Sequence, residues 1–198
     1  FALTESLKQS NCVFEITPGE GAFYGPKIEY SLKDAIGRIW QCGTMQVDFS
    51  MPKLLEAEYS AEDNTRKTPV LLHRAILGSL ERFIGMLIEN YSGAFPVWLS
   101  PVQIVIINIS DSQTEYAHKL EKNLLTQGFR VETDLRNEKI TYKIREQSMQ
   151  KIPYILVIGD REKELSKISV RARGNKDMGL MLVSDFINKV KKDINDKS

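Results

Sequence analysis

The segment from residue 102 to residue 109 constrains the fold more than any other part of this sequence, because it is an almost continuous run of apolar residues. Such a run is typical of a strand whose two faces are both covered, as in a sheet between two layers of helices. Helical patterns and further short strands alternate after it. We therefore expect a three-layer α/β domain in the second half of the chain.

The elements of this second half follow from its hydrophobic periodicity. Helices are expected at 112–126, 139–150 and 183–193, a short helical turn after Asp160, and strands at 129–133, 154–158 and 167–171. Gly128 closes the first of these helices, as glycine commonly does at a helix end.

The first half has a different organisation. Strands are expected at 27–32 and 38–49, a short buried strand at 69–72 and a helix at 74–90, with an irregular polar segment at 51–68. This order indicates an antiparallel sheet with one long helix packed on it. A segment with Gly and Pro at 91–96 ends the helical pattern. We therefore divide the chain into domains at 1–98 and 99–198.

Composition limits the class of protein. The 198 residues are 42% hydrophobic and 27% charged, close to the average for globular domains, which argues against a disordered or fibrous chain. No apolar run approaches the roughly 20 residues that cross a bilayer, and the N-terminus has no signal-peptide pattern. Cys12 and Cys42 allow at most one disulfide, which favours a reducing cytoplasm. Because the chain begins at Phe1 without a methionine, we expect it to be part of a longer polypeptide.

The net charge of +1 hides an uneven distribution. Residues 136–176 contain 11 basic and 5 acidic residues, a net charge of +6. A local positive field attracts phosphate, so this stretch suggests nucleic-acid binding. Lys and Arg that only solvate helix faces would give the same composition, and both interpretations stay open.

The strand at 38–49 alternates between two kinds of side chain. One face, which we expect to be buried, carries Met45, Val47 and Phe49. The other face carries Cys42, Thr44, Gln46 and Asp48. A polar row on a rigid strand suits recognition of a small polar ligand, although an ordinary half-exposed strand has the same pattern. Gly43 favours the first interpretation, because an interior glycine often marks a close approach by a ligand or another backbone.

The predicted helix at 74–90 has an apolar stripe and a face of small residues. The stripe consists of Ile76, Leu77, Leu80, Phe83, Ile84, Leu87 and Ile88, and the second face of Ala75, Gly78, Ser79 and Arg82. Glycine inside a helix costs about 1 kcal/mol relative to alanine, so Gly78 indicates close packing or a ligand. Arg82 could place its guanidinium over a ring or a phosphate. A salt bridge from Arg82 to Asp48 or Glu29 is the alternative.

Two further residue types are candidates for chemistry. His73 lies where the strand at 69–72 becomes a helix, but a lone histidine is more often a hydrogen-bonded core residue than a metal ligand, and no second zinc ligand has a suitable spacing. His118 is expected on a helix surface. Lys27 ends a glycine-rich turn at 20–27 and could reach a phosphate or a carboxylate. The turn is not the pattern of a dinucleotide or Walker loop.

Three segments together resemble the C-terminal part of the catalytic domain of threonyl-tRNA synthetases, which are class II enzymes. They are GEGAFYGPKIE at 19–29, WQCGTMQVDF at 40–49 and HRAILGSLER at 73–82. From Pro101 onward the chain resembles the anticodon-binding domain of the same family, including DLRNEKI at 134–140 and the pair Val170 and Arg171. The resemblance implies an antiparallel class II sheet with a motif 3 helix, followed by a three-layer α/β domain with a mixed five-stranded sheet.

The resemblance also implies roles for individual residues. Arg82 corresponds to the motif 3 arginine, which stacks on the adenine of ATP and contacts its phosphates. The positions that hold the adenylate correspond to Gln41, Thr44 and Gln46, those around the threonine and the phosphates to Tyr24 and Lys27, and the pocket wall to Cys42 and Ser79. His73 corresponds to one of three zinc ligands. The residues that read anticodon bases correspond to Asn137, Glu162 and Arg171.

A zinc ion of this kind has a physical rationale. Threonine and valine are nearly isosteric, and an apolar pocket separates such pairs only by about a hundredfold. A metal that binds both the amino group and the hydroxyl makes the hydroxyl obligatory. Serine has the same amino group and hydroxyl, so the metal cannot exclude it. A separate activity that removes wrongly attached serine is therefore expected elsewhere.

The chain also departs from the family pattern. Motif 1, motif 2 and the other two zinc ligands, a Cys and a His, correspond to sequence before Phe1, and neither Cys12 nor His118 stands at those positions. We therefore expect that this polypeptide alone binds neither zinc nor ATP well.

The favoured function is that of a threonine–tRNA ligase, which activates threonine with ATP and transfers it to tRNA(Thr). The resemblance implies Zn²⁺ in the complete enzyme, Mg²⁺ with ATP, a homodimer, a cytoplasmic location and no membrane partner. The alternatives are a tRNA anticodon-binding module without chemistry and a synthetase-like paralogue with a regulatory role.

Overall fold

The computed structural model describes residues 2–174 and 176–198, which divide into two compact units with their boundary between Asn90 and Tyr91. Within the described residues, both cysteines are free thiols. None of the helices in these ranges has the length and apolar character needed to span a membrane.

The first unit is built around a three-stranded antiparallel sheet in the order β1-β2-β5. Its elements are α1 (Ala2–Gln9), β1 (Lys27–Lys33), β2 (Ile39–Asp48), α2 (Met51–Leu54), β3 (Tyr59–Ser60), β4 (Arg66–Lys67), β5 (Leu71–Ala75) and α3 (Leu80–Tyr91), which ends at the boundary. The two long predicted strands and the antiparallel arrangement are confirmed. The prediction of an irregular segment at 51–68 is wrong, because α2 and a β3–β4 hairpin form there.

The prediction for residues 69–90 also needs correction. The strand is β5, which begins at Leu71, and it is not buried: it forms one edge of the sheet, and Leu72 is 60% exposed. Arg74 and Ala75 pair with β2 instead of starting the helix. Gly78 then adopts a φ of +64°, which is incompatible with a right-handed helix, so α3 begins only at Leu80.

The apolar faces predicted for this unit are not buried. None of the described residues of α3 is buried, and Phe49 is 58% exposed. On β2 the buried side chains are instead Cys42 and Asp48. Three strands and one long helix leave much of their apolar surface uncovered, whereas Asp48 is buried because its oxygens find local hydrogen-bond donors.

The second unit is a mixed five-stranded sheet covered by helices on both faces, as predicted. Its elements are β6 (Ile104–Asn108), α4 (Thr114–Thr126), β7 (Val131–Asp134), α5 (Ile140–Met149), β8 (Tyr154–Ile158), α6 (Asp160–Leu165), β9 (Lys167–Ala172), β10 (Lys176–Leu182) and α7 (Val183–Asn195). The strand order is β10-β9-β8-β6-β7, with β6 parallel to both β7 and β8 and the remaining pairs antiparallel.

The central strand β6 explains the three layers. All five of its side chains are buried. Ile104 and Ile106 belong to the core that also contains Leu124 of α4 and Phe186 of α7. Val105 and Ile107 belong to a second cluster, against which Ile140 and Ile144 of α5 pack. Alternate residues therefore serve opposite layers, which is why the sequence of this strand is almost continuously apolar.

Besides α2, β3 and β4, two further elements were not predicted. Helix α1 is short and has no buried residue. Strand β10 contains Gly179 at a φ of +74°, where its pairing with β9 shifts register. A glycine of this kind interrupts the alternating pattern by which a strand is recognised in a sequence.

Candidate functional site

Polar side chains form a row across the three strands of the first sheet. In the strand register, Lys27 lies opposite Gln46 on β2, and Gln46 lies opposite His73 on β5. The adjacent row contains Glu29 and Thr44. Residues directly opposite each other share a face of the sheet, so all of these side chains project from one side. The structure therefore brings four predicted site residues together: Lys27, Thr44, Gln46 and His73.

Tyr24 joins this row from the turn before β1. Gly25 makes the approach possible, because a Cβ atom there would lie only 2.0 Å from the carbonyl oxygen of Val47. The Tyr24 hydroxyl donates a hydrogen bond of 2.5 Å to Oε1 of Gln46, and its ring centroid lies 5.8 Å from that of His73. Because this bond uses Oε1 as the acceptor, it fixes the orientation of the Gln46 amide and leaves its Nε2 group as the donor that a ligand could use.

Asp48 fixes the imidazole of His73. Its Oδ2 lies 2.9 Å from His73 Nε2, and its Oδ1 accepts hydrogen bonds from the backbone N–H groups of Ser50 and Met51 at 2.8 and 2.9 Å. The Met51 N–H lowers the pKa of the Asp48 carboxyl most; burial opposes the shift, and His73 and Ser50 add to it. Asp48 was not among the predicted site residues, although its place on the polar face of β2 was the available signal.

These residues do not form a zinc site by themselves. Among the described residues, no group of three His, Cys, Asp or Glu side chains is placed to hold a metal ion. His73 supplies one imidazole, and its Nε2 already contacts a carboxylate. Structural and catalytic zinc sites in proteins use at least three protein ligands.

A β-bulge changes which residues of β2 face the row. Ser31 pairs with Gln41, and Tyr30, the residue before it, pairs with Gly43, so Cys42 is the extra residue. Gln41 thereby returns to the same face as Thr44. Cys42 itself is buried, with 5% of its surface exposed.

Arg82 is not part of this row. Its guanidinium carbon lies 4.9 Å from the ring centroid of Trp40. Trp40 precedes Gln41 in β2, so its ring belongs to the opposite face of the sheet. In the part of the chain that the structure describes, Arg82 has no salt bridge to Asp48 or Glu29, which instead pair with His73 and Lys27.

The small residues before α3 lie in a turn and not on a helix face, contrary to the prediction. A Cβ atom on Gly78 would lie 2.7 Å from the carbonyl oxygen of Cys42, so the turn packs closely against β2. Ser79 Oγ donates to Glu81 Oε2 at 2.9 Å and lies 3.4 Å from the backbone nitrogen of Arg82. Ser79 therefore helps to begin the helix.

The second unit brings two of its three candidate residues to one edge. The parallel strands β6, β7 and β8 end at Asn108, Asp134 and Ile158, and the segments that follow them meet at the same edge of the sheet. Asn137 follows β7, and Glu162 follows β8. In open α/β sheets this edge, where the strand order reverses, is the usual place for a ligand.

Glu162 and Arg171 do not lie side by side with Asn137 on one exposed surface. The Glu162 carboxylate accepts hydrogen bonds from the Gly159 N–H at 2.9 Å and from Ser169 Oγ at 2.7 Å, so it closes the start of α6. Burial would raise the pKa of Glu162, but these bonds lower it overall. Arg171 lies opposite Ile155 in the β8–β9 ladder, three residues before the end of β8. It is therefore not at the edge that carries Asn137.

In comparisons with known protein families, each unit matches a domain of aminoacyl-tRNA synthetases. Residues 3–91 match the tRNA synthetase class II core domain (G, H, P, S and T), and residues 103–193 match the anticodon-binding domain family. The chain is 65% identical over 197 residues to the threonine–tRNA ligases of Herminiimonas arsenicoxydans and of Polaromonas sp. (strain JS666). It spans about a third of the length of these relatives, since the matched part covers 31% of each.

Solved structures show the same fold. The RNA-binding domain of threonyl-tRNA synthetase from Cryptosporidium parvum Iowa II matches with a TM-score of 0.83 and 38% identity, covering 96% of this chain and 48% of that one. A prolyl-tRNA synthetase from Cryptosporidium parvum matches with a TM-score of 0.70 and 22% identity, covering 92% of this chain and 39% of that one, and it shows the fold alone. The two units therefore match a class II aminoacyl-tRNA synthetase core domain and an anticodon-binding domain, and the chain as a whole is similar to part of the threonyl-tRNA synthetases.

Proposed function

We propose that this chain is part of a threonine–tRNA ligase, which uses ATP to form threonyl-adenylate and then transfers threonine to tRNA(Thr). Residues 1–98 would contribute part of the catalytic domain and residues 99–198 the anticodon-binding domain. The observation that supports this most is the row of Lys27, Gln46 and His73 on one face of a rigid sheet, with Tyr24 bonded to Gln46.

The row suits an acyl-adenylate chemically. The threonine carboxylate attacks the α-phosphate of ATP, whose negative charge must be stabilised while both reactants are held in line. The Lys27 ammonium and the Nε2 group of Gln46 are donors that could face this charge. Gln41 and Thr44 lie on the same face and would hold the rest of the adenylate, with Tyr24 beside the threonine. ATP would bring Mg²⁺ with it.

The contact between Arg82 and Trp40 supports a role for Arg82 in binding ATP. A guanidinium stacked on the Trp40 indole makes the kind of contact that it would make with adenine. The side chain is exposed at the start of α3. We propose that it leaves the indole for the adenine ring of ATP, while Cys42 and Ser79 support the wall behind it.

His73 is proposed as one zinc ligand of the complete enzyme. The described residues supply only this imidazole and the Asp48 carboxylate beside it. A zinc ion would therefore need ligands from other parts of the polypeptide, and we assign no step of the reaction to it. What these residues do on their own is hold the imidazole at a fixed place in the row.

The second unit would read tRNA. Asn137 lies in an exposed turn at the ligand edge of the sheet, where an amide can form hydrogen bonds to a splayed-out base. Glu162 and Arg171 are proposed as further base contacts. The net charge of +6 over residues 136–176 would attract the phosphate backbone. A homodimer in the cytoplasm completes the proposal.

Amino-acid-dependent exchange of pyrophosphate into ATP tests the substrate assignment. The assay uses the complete polypeptide and compares threonine with valine, serine, proline and histidine. We expect the highest kcat/KM for threonine, measurable exchange with serine and almost none with valine. Stimulation by proline or histidine in place of threonine would overturn the assignment.

An RNA-binding module without chemistry is the second candidate. It is favoured by the contrast between the units, because the second has a closed core whereas the first leaves α3 without a buried residue. Filter binding of a tRNA anticodon stem-loop to this chain at several salt concentrations tests it. Binding with a steep salt dependence, together with no threonine-dependent exchange in the complete polypeptide, would favour the module over the ligase.

A further inference from the structure

The second unit contains a lysine that is almost completely buried. Lys143, in the first half of α5, is 1% exposed. Its ammonium donates hydrogen bonds to Oδ1 of Asn108 at 2.8 Å, to the backbone oxygen of Asn108 at 3.2 Å and to the backbone oxygen of Asp134 at 3.2 Å. All three N–H donors of the ammonium therefore have acceptors.

Burying the Lys143 ammonium is unfavourable for the stability of the fold, so stability by itself does not explain this placement. An ammonium loses favourable hydration when it is buried, even after the protein relaxes around it. Burial lowers the pKa of Lys143, and the nearby Asp134 opposes that shift. No carboxylate forms a salt bridge with it among the described residues, so carbonyl and amide oxygens hold the charge. An apolar side chain of similar volume would fill the same space at lower cost.

The acceptors show what the ammonium holds together. Asn108 is the last residue of β6 and Asp134 is the last residue of β7, so Lys143 joins the ends of two neighbouring parallel strands to α5. The turn at 135–139, which carries Asn137, begins directly after Asp134 and ends where α5 starts. Lys143 thus links the two ends of this turn through its bond to the Asp134 carbonyl.

The side chain of Asp134 strengthens the same attachment. Its carboxylate accepts hydrogen bonds from Arg136 Nε at 2.8 Å and Nη2 at 2.7 Å, and from Gln147 Nε2 of α5 at 3.3 Å. Arg136, which precedes Asn137, also pairs with Glu146 of α5. The turn is therefore fixed at its start through both the backbone and the side chain of Asp134.

We propose that Lys143 is a positioning residue for RNA recognition: it holds the 135–139 turn so that the Asn137 amide meets an anticodon base. This inference rests on the proposed function of the second unit. Because the ammonium is buried, Lys143 does not itself contact phosphate, and it acts only through the turn. A purely structural role would lower stability without changing the choice between bases.

The test uses the complete ligase and four variants: Lys143→Met, Asn137→Ala, the double variant, and Gln103→Met. Gln103 is a matched control, because it is 2% exposed and its hydrogen bonds to Val97 and Arg130 lie at the opposite, amino-terminal end of β6. Aminoacylation kcat/KM is measured with tRNA(Thr) and with a transcript that carries one substituted anticodon base. Threonine-dependent pyrophosphate exchange and melting temperature are measured for every variant.

We expect Lys143→Met to reduce the preference for the natural anticodon by at least about fivefold, the lower limit for losing one base-reading contact. Gln103→Met should lower the melting temperature similarly while keeping the preference. In the double variant, Lys143→Met should add little to the loss caused by Asn137→Ala, because both act on one contact. Pyrophosphate exchange should be unchanged throughout.

Different results overturn different parts. Asn137→Ala with an unchanged preference would refute base reading by Asn137, and the role of Lys143 with it. If Asn137→Ala lowers the preference but Lys143→Met does not, or if the two losses multiply, only the positioning role is refuted. The salt dependence of tRNA binding adds a further check, since a direct phosphate contact by Lys143 would make the slope of log K against log salt shallower by about one unit in Lys143→Met.

A milder variant covers the case in which Lys143→Met does not fold. Asn108→Ala removes Oδ1, one of the three acceptors, together with the Nδ2 donor to the Ser110 carbonyl, and leaves the backbone oxygens that accept from Lys143 in place. We expect a smaller loss of anticodon preference in the same direction. Folded Asn108→Ala enzyme with an unchanged preference would refute the positioning role.

Discussion

His73 Nε2 lies 2.9 Å from Oδ2 of Asp48, and this contact joins the middle and edge strands of the first sheet. The same carboxylate accepts the backbone N–H groups of Ser50 and Met51 where β2 ends. Asp48 therefore fixes both a candidate site residue and the direction of the chain after the strand.

Replacing Asp48 should lower the stability of the first unit. In Asp48→Ala, two backbone N–H groups and the imidazole lose their acceptor, so the melting temperature of the chain should fall clearly. Asp48→Asn keeps an acceptor oxygen and should cost less. Asp63→Ala is the control, because Asp63 makes similar bonds to Thr65 in an exposed loop. Equal melting temperatures for Asp48→Ala and Asp63→Ala would contradict this account.

Removing the Tyr24 hydroxyl should weaken threonine activation. Tyr24→Phe keeps the ring but no longer orients the Gln46 amide, so kcat/KM for threonine in pyrophosphate exchange should fall about tenfold, the value of one good hydrogen bond. Tyr30→Phe is the matched control, since Tyr30 projects from the opposite face of β1. If both variants behave alike, the Tyr24–Gln46 bond has no part in activation.

Two glycines near α3 should respond oppositely to alanine. Gly78→Ala places a Cβ 2.7 Å from the Cys42 carbonyl oxygen at a φ of +64°, so we expect destabilisation. Gly85 lies inside α3 with open space around its Cα, and Gly85→Ala should stabilise the chain by about 1 kcal/mol. Urea unfolding of both variants measures the difference. A stabilising Gly78→Ala would contradict the close approach of this turn to the Cys42 carbonyl.

Asp134 should make stability depend on pH. Hydrogen bonds from Arg136 hold the pKa of its carboxyl at about 2, against an ordinary value of 3.8. Its folded-state pKa is lowered, so its contribution is fully present above about pH 4 and is lost as the pH falls towards 2. The difference in free energy of unfolding between the natural chain and Asp134→Asn should therefore shrink over this range. A difference independent of pH would contradict the ion pair.

Much of the second unit could be read from the sequence because its local and long-range signals agree. The continuous apolar pattern of β6 reflects burial on both faces, and the helices that cover it have regular amphipathic spacing. The buried position of Lys143 was not predicted, because lysine is usually a surface residue. The available signal was its position in α5, three residues after Ile140, on a side of the helix that packs inward.

The first unit was harder to predict because its details depend on tertiary contacts. The start of α3 is delayed by the pairing of Ala75 with Thr44 and by the conformation of Gly78, and neither leaves a periodic signal. The bulge at Cys42 moves Gln41 to the face of Thr44, which simple alternation cannot show. The polar row at Thr44 and Gln46 was readable because that part of β2 alternates regularly.

We propose that the face of this sheet that carries Lys27, Gln46 and His73 holds the threonine and the α-phosphate of the threonyl-adenylate. The most direct test is threonine-dependent pyrophosphate exchange by the complete ligase carrying Gln46→Ala or Arg74→Ala. Arg74 is exposed and lies next to His73 on β5, on the opposite face. We predict that Gln46→Ala lowers kcat/KM by about 100-fold, as expected for a donor that meets developing charge, while Arg74→Ala stays close to the natural enzyme. Unchanged activity in Gln46→Ala, or an equal loss in both variants, would contradict the account.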